Sequence, residues 1–290
     1  MTLNRREWLL ASGVSAAGLA LPTSLLAADS GMKLSLAAYS FRQWLDLKKK
    51  EMTLIDFIDL SATYPLDAVE LTAYYFEKTT PEYLKAVKDR CIHHKLEVSG
   101  TAVGNNFCVS EPAKLKEQIE MVKNWVDHTK VLGGKAIRIF AGSIKKGDDE
   151  AAMVKQAVRC MEEVCEYAGK NGIKLALENH GGITSTPEQL LGLVKSVKSD
   201  ALGINLDSGN FHTEDPYGDL AKIAPLAVNV QFKTEISPKG KPKEEADLAK
   251  LVDMMKKVNY RGYIALEYEA AEDAKVAVPR YLKSLRKLLS

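Results

Sequence analysis

Four short stretches of this chain run from apolar residues into side chains that bind metals or move protons. Residues 175–182 read LALENHGG, so Glu178, Asn179 and His180 follow an apolar run and two glycines then release the backbone. Residues 202–210 read LGINLDSGN around Asp207, residues 227–235 read AVNVQFKTE around Gln231 and Lys233, and residues 263–269 read YIALEYE around Glu267. A buried strand with polar groups at its C-terminal end is how a parallel α/β barrel presents chemistry. Glu178, Asp207, Gln231 and Glu267 are therefore the candidate metal ligands. Carboxylates crowded together repel unless a cation joins them, and hard divalent ions favour carboxylate and amide oxygens. Mn²⁺ or Mg²⁺ is the expected ion, with Co²⁺ or Zn²⁺ as alternatives. The competing reading is a metal-free network in which the acids bridge to Lys233 and Arg138.

Side chains alternate between the two faces of a strand. If Glu178 and Gln231 point into a barrel, His180 and Lys233 do too, and Glu269 follows Glu267 in the same sense. Arg138 in Ile-Arg-Ile and Glu70 in Val-Glu-Leu each interrupt an apolar run. A closed barrel has no exposed edge for an ionised side chain, so both are assigned to the cavity. His212, in Gly-Asn-Phe-His after the Asp207 stretch, is a loop candidate for the same pocket. His93, His94 and His128 read as surface.

The elements that must position these groups alternate regularly from residue 33 onward. Strands are expected at 34–40, 68–72, 96–103, 136–140, 174–178, 203–207, 228–232 and 263–267. Helices are expected at 53–64, 81–94, 111–132, 148–171, 187–197, 217–224, 245–258 and 274–289. Thr53 stands at a capping position, Pro81 in a first helical turn, and Gly133-Gly134 and Gly172 just past helix ends. No linker divides these eight βα units, which predicts one closed (β/α)8 barrel over 32–290. An open doubly wound sheet is the alternative, but no strand is followed by G-x-G-x-x-G.

The 290 residues suit a single barrel, which needs about 250. A net charge of +2 gives no basic face for nucleic acid. Cys91, Cys108, Cys160 and Cys165 form no C-x-x-C pair, so buried thiols are expected rather than a disulfide framework. Residues 1–28 read as a separate leader: Arg5-Arg6, then an apolar run interrupted by Gly13, Gly18 and Pro22, then Ala27-Ala28. That pattern is a twin-arginine-type signal peptide rather than a stable membrane span. It implies a periplasmic or secreted bacterial protein.

The motifs LENHGG, DSGN, VQFKTE and ALEYE, in that order, resemble the sugar-phosphate isomerase/epimerase superfamily of xylose-isomerase-like barrels. The resemblance runs from about residue 32 to the C-terminus. In its ketose 3-epimerases, Glu, Asp, His and Glu on strands five to eight hold the metal, matching Glu178, Asp207, Gln231 and Glu267. Gln231 departs from the family His, and Asn210 stands where the epimerases place a substrate-contacting His. Barrels with this glutamine behind a paired-arginine leader are typically exported proteins.

The resemblance implies an isomerase or epimerase acting through an enediolate on a ketose or related sugar. Glu178 and Glu267 would be the acid–base pair, and Arg138, His180, Lys233, Glu70, Asn210 and His212 would contact the substrate. Elimination from a 3-keto-glycoside by a lyase or deglycosidase, and a non-catalytic sugar-binding barrel, are the alternatives. The endonuclease branch needs more strand-end histidines and a basic surface. The expected partner is a small carbohydrate, without nucleic acid or stable membrane insertion, and a homo-oligomer is compatible with this reading.

Overall fold

The computed structural model describes residues 31–290; the leader assigned to residues 1–28 lies outside them. Eight parallel strands close into a barrel: β1 (Lys33–Ala37), β2 (Ala68–Thr72), β3 (Glu97–Ala102), β4 (Ala136–Ile139), β5 (Lys174–Glu178), β6 (Leu202–Asp207), β7 (Ala227–Phe232) and β10 (Tyr263–Leu266). A two-stranded antiparallel ribbon, β8 (Glu235–Ile236) with β9 (Glu244–Glu245), lies in the loop after β7. The strands pair in chain order and β10 closes the ring onto β1.

Helices α1 (Leu54–Ser61), α2 (Pro81–His93), α3 (Pro112–Leu132), α4 (Glu150–Lys170), α5 (Pro187–Ser196), α6 (Pro216–Ile223), α7 (Leu248–Lys257) and α8 (Ala274–Leu289) alternate with the barrel strands. Their starts are locally encoded. Thr53 with Asp56, and Thr186 with Gln189, make reciprocal capping boxes that satisfy otherwise orphaned N–H groups. Proline opens α2, α3, α5 and α6, where its missing N–H costs nothing. Gly133 ends α3 at φ 92°, a left-handed turn that suits glycine.

The main core lies between strands and helices. Leu175 and Leu177 of β5, Ile204 and Leu206 of β6, and Val230 and Phe232 of β7 are fully buried in it. The residues between them in sequence, such as Ala176, Glu178, Asn205, Asp207, Asn229 and Gln231, are buried as well. One strand thus supplies a greasy outer face and a polar inner one.

Two of the elements that differ from expectation show the physical reason most clearly. The first strand ends at Ala37, and Ala38–Phe41 coil into a 3-10 turn. There Ser40 Oγ accepts from Tyr268 N at 2.9 Å and donates to Leu266 O at 3.1 Å, which ties the turn to the end of β10. Helix α7 begins at Leu248 rather than 245, because Glu244–Glu245 pair with the ribbon and Asp247 caps the helix through Lys250 N at 2.9 Å. Among the described residues no helix is long and apolar enough to cross a membrane.

Candidate functional site

The C-terminal ends of the strands carry two ion-pair centres. The first is Arg138 with Glu178, on adjacent strands. Arg138 Nε lies 3.0 Å from Glu178 Oε2, and both side chains are about 5% exposed or less. Arg138 is held from above and beside: Nη1 donates to Val103 O at 2.7 Å, and its guanidinium stacks 4.1 Å from the Phe140 ring centroid. The Phe140 ring in turn lies 4.3 Å from His180. Glu178 also accepts from Asn205 Nδ2 at 3.2 Å and Asn210 Nδ2 at 2.9 Å.

Lys233 is the second centre. Its Nζ stands 2.7 Å from Glu269 Oε2, 3.2 Å from Asp207 Oδ2 and 3.6 Å from Glu267 Oε2, and it donates to Asn210 Oδ1 at 3.0 Å. Asn210 therefore joins the two centres, giving its amide hydrogen to Glu178 and its carbonyl to Lys233.

Beneath the mouth runs an amide-rich layer. Gln231 Nε2 donates to Glu70 Oε1 at 2.5 Å, and Gln231 Oε1 accepts from Asn205 Nδ2 at 2.5 Å. Asn229 Nδ2 is shared between Glu70 Oε2 and Asn205 Oδ1, both at 2.8 Å. The pairing registers explain the adjacency, since Glu178 sits opposite Asn205 and Asp207 opposite Gln231. Loop amides continue the sheet above it. Asn179 exchanges two hydrogen bonds with the Asp207 backbone at 2.9 Å, and Asn105 does the same for Phe140 at 2.8 and 3.0 Å.

Burial governs the electrostatics. It pushes Glu178 up to about 7, against the pull of Arg138, and raises Glu267 well above the usual carboxylate range, against the pull of Lys233. Glu70 also goes up by burial, in spite of its amide donors. Burial opposes charge on Arg138 and Lys233, but the facing carboxylates outweigh it and both are held as cations. His180 is pushed down by burial and by those two cations, which favours neutral imidazole.

A cavity of about 210 Å³ opens over both centres, lined by Tyr39, Tyr74, Arg138, Phe140, Glu178, His180, Lys233, Glu267 and Glu269. Asn210 and His212 line a neighbouring cavity of about 220 Å³ on the other side of Lys233. Of the residues singled out from the sequence, Glu178, Glu267, Glu269, Arg138, His180 and Lys233 meet at one cavity. Asp207 reaches it through Lys233, while Glu70 and Gln231 lie in the layer below. Asn205, Asn229, Tyr39 and Tyr74 were not singled out. Asn205 and Asn229 stand two residues before Asp207 and Gln231, so period-two alternation marks them; the tyrosines follow strand ends, where no such period reaches.

The residue types suit a hard divalent ion, and Asp207 Oδ2 is buried without a hydrogen bond, but the other candidate ligands are engaged elsewhere. Ca²⁺ and Mg²⁺ take oxygens at about 2.0–2.6 Å. Here both ends of the Gln231 carboxamide are committed to Asn205 and Glu70. Glu178 faces Arg138, while Asp207 and Glu267 face Lys233. Among the described residues no three His, Cys, Asp or Glu side chains are grouped to hold an ion.

The closed eight-stranded barrel with a polar mouth at its strand ends defines a class, and comparison with known proteins agrees. Residues 58–288 match the xylose isomerase-like TIM barrel family, and the chain belongs to it. A D-psicose 3-epimerase of Clostridium cellulolyticum H10, solved with D-tagatose, superposes with a TM-score of 0.72 at 15% identity, covering 89% of this chain and 100% of that one. An L-ribulose 3-epimerase superposes at 0.69 and 14% identity, covering 89% and 94%. In sequence, an uncharacterized protein of Methanocaldococcus jannaschii is 22% identical over an alignment of 244 residues that covers 77% of this chain and 81% of that protein. At these identities the solved structures establish the fold.

Proposed function

We propose that this barrel is a sugar isomerase or epimerase that works through an enediolate on a ketose or related sugar. The observation that carries the reading is the pairing of two buried carboxyls, Glu178 and Glu267, around one cavity that also holds Arg138 and Lys233. Burial lifts both carboxyls toward neutrality, which is where a group that must both take and give a proton works best. One carboxylate takes the proton next to the sugar carbonyl. The electron pair moves onto the carbonyl oxygen, and the two fixed cations stabilise that oxyanion. The other carboxyl returns a proton to the opposite face, which inverts the centre, or to the neighbouring carbon, which moves the carbonyl. Tyr39, Tyr74 and His180 on the cavity wall present hydroxyl and imidazole groups to the sugar hydroxyls. The sugar epimerases among the solved relatives support the substrate class.

The test is incubation of the protein with a panel of ketoses in D₂O, followed by NMR. Deuterium appearing at the carbon beside the carbonyl, with a new epimer or isomer, is the expected result. Glu178→Gln and Glu267→Gln should each lower the exchange rate about 10²–10⁴-fold, the usual share of one acid–base group. Full activity in the double variant, or no exchange with any ketose, overturns the reading. Release of an aglycone from 3-keto-glucosides without ketose exchange would place the same enolising step in an elimination instead.

A further inference from the structure

We propose that Lys233 is the resident cation of this barrel mouth, filling with its ammonium the place that a divalent ion would otherwise take among Asp207, Glu267 and Glu269. Three observations converge on this. Nζ has four oxygens around it, from Asp207, Glu267, Glu269 and Asn210, at 2.7–3.6 Å. The contacts to Glu269, Asn210 and Asp207 fall in the N···O range of an ammonium, the one to Glu267 is an ion-pair distance beyond it, and all are longer than metal–oxygen bonds. Gln231, the amide that would complete a metal shell, is turned into the layer below and spends both of its polar ends there.

The third observation is that the fold makes room for the lysine stem. A Cβ placed on Gly209 would meet Lys233 Cδ at 2.7 Å and Lys233 Cβ at 3.0 Å. Gly209 is also held in place, since its N–H donates to Asp207 Oδ1 at 2.8 Å. The backbone that orients the acid therefore also leaves the channel through which the lysine reaches it. The Lys233 backbone N–H in turn donates to Ser208 Oγ at 2.8 Å, so both ends of the lysine are fixed.

The consequence is a positive charge delivered by the chain itself at the point where an oxyanion would form. Its use in catalysis rests on the enolising reading above; its displacement of a metal does not. The experiment therefore reads metal binding rather than turnover. The full-length protein is stripped with chelator and titrated with Mn²⁺, with free ion followed by EPR and thermal stability by melting. Wild type is expected to leave the Mn²⁺ free and to melt at the same temperature with or without it. Lys233→Ala removes the ammonium and leaves its acids uncompensated, so it should bind Mn²⁺ and melt several degrees higher with the ion. Lys233→Arg keeps a cation and should ignore Mn²⁺ as wild type does. Gly209→Ala, which crowds the stem, should fall between the two.

One tightly held Mn²⁺ per wild-type chain overturns the proposal. So does a folded Lys233→Ala protein that ignores the ion. If Lys233→Ala fails to fold, wild type and Lys233→Arg still decide between the two outcomes.

Discussion

Arg138 and Glu178 form a buried ion pair across neighbouring strands, with Nε 3.0 Å from Oε2. Removing one member of such a pair leaves the other charge stranded, which costs about 3–5 kcal/mol. Arg138→Met is expected to lose stability on that scale at pH 8, where Glu178 must otherwise stay ionised. At pH 5.5 Glu178 takes up a proton instead, and the loss should be smaller. Urea unfolding at the two pH values measures the difference, and equal losses at both would show that the pair does not carry the effect.

Glu178 also sets a pH dependence of its own. Its folded value is near 7 while its ordinary value is 4.5, so the folded protein holds a proton that the unfolded chain gives up between those values. Stability from this group is fully present below pH 4.5 and is lost as pH rises through about 7. The slope is about 1.4 kcal/mol per pH unit for one proton. Burial moves Glu267 and Glu70 in the same direction. Asp59, lowered by its hydrogen bond from Arg90, and Glu97, lowered by its hydrogen bond from Lys33, act oppositely and weaken the protein as pH falls. Glu178→Gln isolates one group: its stability relative to wild type should improve as pH rises from 5 to 7.5. A difference that stays flat over that range would contradict the raised value.

The fold was legible where local pattern and tertiary pairing agree. The β2, β5 and α8 boundaries fall where the apolar runs and caps place them. The end of β1 was not legible, because what stops it is Ser40 bonding to residues more than 220 positions away. The ribbon was missed for a different reason, since two residues on each side give no period to read. At the site, the acids were visible because each ends an apolar run. Their partners were not: whether Gln231 faces up toward Asp207 or down toward Glu70 depends on which strands register with it. Where the ammonium of a four-carbon side chain comes to rest is likewise set by its neighbours, in this case by the absence of a side chain at Gly209.

Gln231 offers a direct test of the layer below the mouth. Leucine at this position is of similar size but offers no polar atom. Gln231→Leu would leave Glu70 Oε1 and one Asn205 hydrogen without their 2.5 Å partners inside the barrel. A buried polar group stripped of its partner costs about 1–3 kcal/mol. With two groups affected, the loss should exceed that of removing either contact from a solvent-exposed site. Gln231→Glu should do worse at pH 8 than at pH 5, because it sets a second carboxyl against Glu70. Chemical denaturation of both variants provides the measurement, and a stability equal to wild type for Gln231→Leu would mean that the layer contributes little.

The four cysteines provide a readout of the whole barrel. Cys91 and Cys165 are buried thiols pushed up to about 12 by desolvation, and Cys108 and Cys160 are pushed up to about 11 in the same way. The thiolate is the reactive form, so at pH 8 each is both protonated and shielded from reagent. Cys160 and Cys165 lie on α4, and Cys91 on α2, packed into the core between helices and strands. Exposure of these three therefore requires those helices to leave the barrel. An aromatic disulfide reagent should label the native protein slowly and all four thiols rapidly in denaturant. Variants that loosen the mouth alone, such as Arg138→Met, should speed labelling only in proportion to their loss of global stability. Fast labelling of one cysteine in the native wild type would instead reveal a local opening of its helix.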